Sequence, residues 1–333
     1  MTEIQSYAIK NIRVVSTLMI FLCHTVFLFG ETVGLTAQFF NIAVTVFFFI
    51  SAYLYSLREN VSAGGVLQWY KKRFLRISIP YYIYIILLFV LYLFLVKKIN
   101  IVSWTTTALI ISGITETSMP ETGHLWFITA IVICYLITPV LYKIRKNNKI
   151  SALFIIFSIT LYFPIAFFVK DIIATYYWSV FEFVIAFFFL EKLINKLNDK
   201  SGIIIGFISL VLGCIIKLLG VHYFDSTIFY TKFIVEICSL LIAFGIFAVV
   251  FFLTAVLKKM VFRFSKIIDF FDSISYEFFI VHMIFINGNF SVLKLSNPFL
   301  NICLAFVLSL IFGYLLHILS NQIFKVIKWR KKH

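Results

Sequence analysis

Acidic residues are scarce in this 333-residue chain: 14 Asp and Glu stand against 29 Lys and Arg, and charged residues make up only 13% of it. A soluble domain carries about a quarter charged residues, so a soluble enzyme and a disordered chain are both excluded. Cysteine is also rare. Cys23, Cys134, Cys214, Cys238 and Cys303 stand singly inside apolar runs without CxxC spacing. Neither a disulfide framework nor a zinc site is expected, and no metal is called for. Five prolines leave few helix breaks, and no internal repeat or Pro/Gly/Ser-rich linker divides the sequence. What fills the chain is apolar: 62% of it is hydrophobic, with 42 Phe.

The apolar residues fall into runs at roughly 12–30, 37–57, 77–96, 125–143, 151–169, 176–193, 202–219, 233–257, 272–292 and 298–322. Each is about 18–25 residues, enough to cross a hydrocarbon core of ~30 Å as a helix. The expected fold is therefore all-α, a polytopic bundle of about ten transmembrane helices forming one domain over 1–333. Run 101–114 is shorter and spotted with polar residues, and reads as a re-entrant or interfacial piece of an external loop. The first run lacks a small-residue cleavage site and is not expected to be a removable signal peptide.

The basic residues set the orientation. With both termini cytoplasmic, all but six of the 29 Lys and Arg fall on the inner side, the outer six being Lys97, Lys98, Lys170, Lys217, Lys232 and Lys294. This is the positive-inside pattern. The net charge of +15 is thus topological, and nucleic acid is not an expected partner. Pro80 after Ser78 reads as the first turn of the third span, with Ser78 as its cap. That places Lys71, Lys72, Arg73 and Arg76 just cytoplasmic of it.

Ionisable groups inside a span cost several kcal/mol by most scales and are candidates for function. Those expected in spans are His24, Glu182, Glu236, Glu277, His282 and His317. Arg13 and His24 are eleven residues apart, just over three turns, which puts both side chains on one helix face about 16 Å apart along the axis. Arg13 then suits an anion at the inner surface and His24 a general base deeper in, although an orientation anchor and an interhelical contact fit the same spacing. Arg73 and Arg76 share a face if helical, and two guanidinium forks suit a phosphate or pyrophosphate; a basic stop-transfer cluster reads identically. His124 and Trp126 mark the outer mouth of the fourth span. Tyr276, Glu277 and His282 share one helix, with Glu277 and His282 about 140° apart around it. His317 reads as structural, and Glu182 and Glu236 as neutral packing groups or proton carriers.

These residues, taken in order, resemble the acyltransferase 3 family of multipass membrane O-acyltransferases. Arg13-x10-His24 is similar to its first-span signature, Val46-Phe47-Phe48-Phe49-Ile50-Ser51-Ala52-Tyr53-Leu54 to its second-span stretch, and Arg73-x-x-Arg76 to its basic motif. His124-Leu125-Trp126-Phe127 and the segment from Ser275-Tyr276 to Val281-His282 resemble its later landmarks. The chain departs from the pattern at Ala43-Val44-Thr45-Val46, where the family often has a Gly and an acid; the resemblance then leaves Glu182, Glu236 or Glu277 to orient a catalytic group.

The resemblance implies transfer of an acyl group, commonly acetyl from acetyl-CoA, to a hydroxyl of a cell-surface polysaccharide or lipid-linked sugar. It implies that His24 acts as base with Arg13, that Arg73 and Arg76 hold the CoA phosphates, and that His124, Trp126, Tyr276 and His282 lie near the acceptor. The abundance of Lys, Ile, Phe and Asn points to a low-GC bacterium, hence a multi-pass protein of the bacterial cell membrane, with membrane lipid and polysaccharide-synthesis machinery as surroundings. A glycan or glycolipid exporter is the alternative. It would be expected to show paired helix breaks in two halves, which the sequence lacks.

Overall fold

A computed structural model describes residues 1–58, 65–224 and 230–329. Every regular element among them is helical. The long helices are α1 (Glu3–Cys23), α2 (Ala43–Ser56), α3 (Gly65–Leu91), α4 (Trp126–Arg145), α5 (Asn148–Phe168), α6 (Asp171–Lys196), α7 (Asp199–Phe224), α8 (Val235–Val256), α9 (Ser265–Ile286) and α10 (Pro298–Trp329). Among the described residues, nine stretches are long and apolar enough to cross a membrane. The remaining expected run, 272–292, falls largely on α9, where Asp269, Asp272 and Glu277 lie within nine residues of one another. The protein is a multi-pass helical membrane protein. The tail residues Arg330, Lys331 and Lys332 and part of the linker 58–76, both expected on the inner side, lie outside the described residues.

Helix ends differ from the hydropathy runs where backbone chemistry intervenes. The first helix begins at Glu3 and stops at Cys23 instead of running on to residue 30; Gly30 at φ +100° separates two single turns, Val26–Phe29 and Glu31–Gly34. The third helix starts at Gly65, so Pro80 lies inside it and Ser78 is not its cap. Proline removes one intrahelical donor and crowds the preceding turn. There the Tyr276 hydroxyl donates to the Ile77 carbonyl at 2.9 Å. The segment 101–114, expected to lie in an external loop, begins with an eight-residue helix, Ile101–Ala108, capped by the Asn100 side chain accepting from the Ser103 amide. At about 12 Å it is too short to span.

The chain divides into two compact units, each built from three separated stretches. One comprises residues 1–19, 38–61 and 133–272. Its core is aromatic, with Phe48, Phe183, Phe187 and Phe247 fully buried. Helices α7 and α8 pack closely at Gly206 and Gly245: a Cβ on Gly245 would lie 2.7 Å from the Leu210 backbone nitrogen and 2.8 Å from the Gly206 carbonyl oxygen. Small residues allow this approach where lipid gives helices no hydrophobic drive to associate. Several polar groups in this unit are paired: Glu182 accepts from Thr45 and Trp178, Arg145 bonds Glu191 and the Ser56 carbonyl, and Arg13 pairs with Asp272. Lys217, read from sequence as an outer-side lysine, is only 3% exposed and donates to the Gln38 carbonyl at 2.9 Å.

The second unit comprises residues 20–37, 62–132 and 273–333. Phe21, Phe278, Met283, Phe285, Ile286 and Ala305 form one apolar cluster within it. Helix α10 lies along α3. The Glu277 carboxylate bonds His317 Nδ1 at 3.2 Å, and Asn321 bonds His317 Nε2 at 2.8 Å.

Candidate active site

The second unit gathers three imidazoles. His24 follows directly on α1, and its amide donates to the Ile20 and Phe21 carbonyls, extending the last turn. His124 sits in a tight turn of helix, Pro120–Leu125, that leads into α4. His282 comes from α9. The His282 ring centroid lies 5.3 Å from that of His24 and 4.8 Å from that of His124. His282 is fully buried, and its ring stacks parallel to Phe278.

Hydrogen bonds fix two of the three tautomers. The His124 Nε2 bonds the Ile280 carbonyl at 3.1 Å, and the His282 Nδ1 bonds the Phe279 carbonyl at 2.7 Å. A carbonyl only accepts, so each of those nitrogens carries the proton. In the neutral rings this leaves His124 Nδ1 and His282 Nε2 as acceptors. Both are buried without a hydrogen-bond partner. A buried acceptor of this kind is costly unless something donates to it.

Beside the rings is an open cleft of about 520 Å³. His24 and His124 line it, with Trp126, Met283 and Asn287 on its walls and Ser118, Met119, Pro120 and Gly123 along one edge. The lining combines an aromatic face, thioethers and a few polar groups, as small-molecule sites do.

The other sequence-designated residues take different places. Arg73 and Arg76 lie within α3, one of them half-buried near the Trp69 ring and the other exposed. Arg76 acts electrostatically on Glu277. Tyr276 hydrogen-bonds α3 instead of lining the cleft. Arg13 belongs to the first unit, where Asp272, a residue the sequence reading did not single out, is its partner. Glu182 and Glu277, considered as orienting acids for His24, bond Thr45, Trp178 and His317. The sequence reading also passed over Glu121, Met283 and Asn287; the available signals were Pro-Glu-Thr-Gly before His124 and the Asn pair after His282. His317, read as structural, is tied to Glu277.

A helical membrane protein with clustered imidazoles on an open cleft has the parts of a membrane-embedded transferase. A family model described as an acyltransferase domain matches residues 6–318. The chain belongs to this family, acyltransferase 3, and is a membrane acyltransferase. No curated protein and no solved structure matches it.

Proposed function

We propose that this protein is an O-acyltransferase of the bacterial plasma membrane, moving an acyl group, acetyl in the simplest case, from cytoplasmic acyl-CoA to a hydroxyl of a surface polysaccharide or lipid-linked sugar. The observation that carries the reading is the meeting of His24, His124 and His282 beside one cleft in a chain of this family.

His24 is the general base, because it lines the cleft and its ring is not fixed by a carbonyl as the other two are. It takes the proton of the acceptor hydroxyl as the oxygen attacks the thioester carbonyl carbon. The carbon–sulfur bond then breaks, and His24 returns the proton to the leaving CoA thiolate. General acid–base catalysis of this kind contributes about 10²–10⁴-fold. The bare Nδ1 of His124, a residue of the cleft lining, accepts from a donor brought in by the substrate, His282 backs the cluster from beneath, and the Trp126 face suits a sugar ring.

Arg73 and Arg76 bind the CoA phosphates through their guanidinium forks. The Tyr276–Ile77 bond marks the level of this pair on α9, and His282 stands six residues further on, about 9 Å of helix rise. That proximity within one unit supports a single ligand served by both. Arg13, paired with Asp272, lies midway along α1, eleven residues before His24.

The test is His24→Ala, with the acyl esters of the surface carbohydrate quantified in cells and CoA release from acetyl-CoA measured in membranes. Ester content and release should both fall at least about a hundredfold while the protein still reaches the membrane. Wild-type ester content in that variant would end the proposal.

A further inference from the structure

Glu121 is a fully buried acid three residues before His124. All the groups bonded to its carboxyl are donors: the Tyr92 hydroxyl at 2.7 Å on one oxygen, and the Asn289 amide at 2.7 Å with the Asn289 side chain at 3.5 Å on the other. Asn289 also donates to the Tyr92 hydroxyl at 2.9 Å, which closes a ring of bonds. The Glu121 carbonyl accepts from the Tyr84 hydroxyl at 3.0 Å. Gly288, at φ +82°, leaves room for this carboxyl: a Cβ there would lie 2.1 Å from Oε1.

These contacts join three pieces of one unit. Tyr84 and Tyr92 belong to α3 and its continuation, Glu121 to the turn that carries His124, and Gly288 and Asn289 to the loop following α9 and His282. Two segments of the cleft lining are involved, since Ser118, Met119, Pro120, Gly123 and His124 come from the stretch around Glu121, and Met283 and Asn287 from the end of α9 and the loop after it. A bond from the Asn287 side chain to the Pro120 carbonyl at 3.4 Å adds a second, weaker tie.

We propose that Glu121 is a positioning residue: a buried latch that sets the separation of the cleft walls and so holds His124 against His282. The inference rests on the acyl-transfer reading only for what the cleft binds; the latch itself is a property of the walls. Bonds to a carboxylate are stronger than neutral ones, so this acid secures a loop that three neutral side chains would hold less firmly. A glutamine at 121 keeps the shape but turns a donor toward either Tyr92 or the Asn289 amide, both of which already donate.

The full-length protein in native membranes, as wild type, Glu121→Gln and Tyr92→Phe, is treated with diethyl pyrocarbonate. Carbethoxylation of each histidine is then followed by peptide mass spectrometry. The reagent attacks unprotonated ring nitrogen, which His124 and His282 present as soon as the walls part. In Glu121→Gln, the rates at His124 and His282 should rise about tenfold or more, the change that losing a bond to a charged group permits. Tyr92→Phe should give a smaller rise at the same two sites. His317, in the same unit but away from the cleft, serves as the internal reference and should keep its wild-type rate in both. Wild-type rates at His124 and His282 in both variants would overturn the proposal, as would a parallel rise at His317, which marks general loosening. The labelling reads no acyl transfer, so this result and the outcome for His24→Ala are independent.

Discussion

Two carbonyls decide how the imidazole cluster works. By accepting from His124 and His282, the Ile280 and Phe279 carbonyls turn the remaining ring nitrogens into acceptors and leave His24 unconstrained. Replacing His282 with Phe keeps an aromatic ring against Phe278 and removes the bare nitrogen. Activity in an acetyl-CoA release assay should fall at least about tenfold with little change in the melting temperature in detergent; full activity would show that this nitrogen has no part in turnover. Arg73→Lys and Arg76→Lys retain the charge and lose the planar fork. The expected outcome is a raised KM for acetyl-CoA with kcat largely kept, and an unaltered KM would remove the pair from the donor site. Sequence singled out these residues one at a time, by type and depth in a span. It passed over Glu121 because an acid beside Pro120 and Gly123 reads as an ordinary loop residue, and its partners Tyr92 and Asn289 are 29 and 168 positions away.

Among the elements, the closest approach is that of α7 and α8. Gly245 meets the Leu210 backbone, which cannot swing aside as a side chain tip would. Gly245→Val should therefore force the helices apart and cost about 1–3 kcal/mol, seen as a lower thermal midpoint of the purified protein; an unchanged midpoint would mean that the pair has slack. Tyr276→Phe removes only the bond to Ile77 beside Pro80 and should cost about 1 kcal/mol. Hydropathy located these helices well because lipid demands a continuous apolar stretch with every backbone group satisfied internally. It located their ends less well. The start of α3 at Gly65 lies in polar sequence that hydropathy does not register, and α1 stops at Cys23, short of the end of its apolar run, where the chain passes into single helical turns on either side of Gly30.

For the whole molecule, the orientation inferred from the basic residues has a direct check. In a cysteine-free background, a cysteine placed at Glu116 should react with an impermeant maleimide in intact cells, and one at Lys146 should react only after lysis; both positions are exposed. The reverse pattern would invert the topology and move the proposed donor site to the wrong side. The sequence by itself determined a helical membrane protein, the approximate course of its spans, the kinship with acyltransferases and the residue types available for chemistry. The first, second and fourth follow from hydropathy, charge and spacing, and the kinship from motifs that resemble the family's, all properties that short stretches carry alone. Only the tertiary structure decided that His24, His124 and His282 converge, that Arg13 is paired with Asp272, and that Glu121 ties two cleft walls together. Those are meetings of side chains from distant segments, set by how helices pack and by which buried polar groups find partners, and no local pattern encodes them.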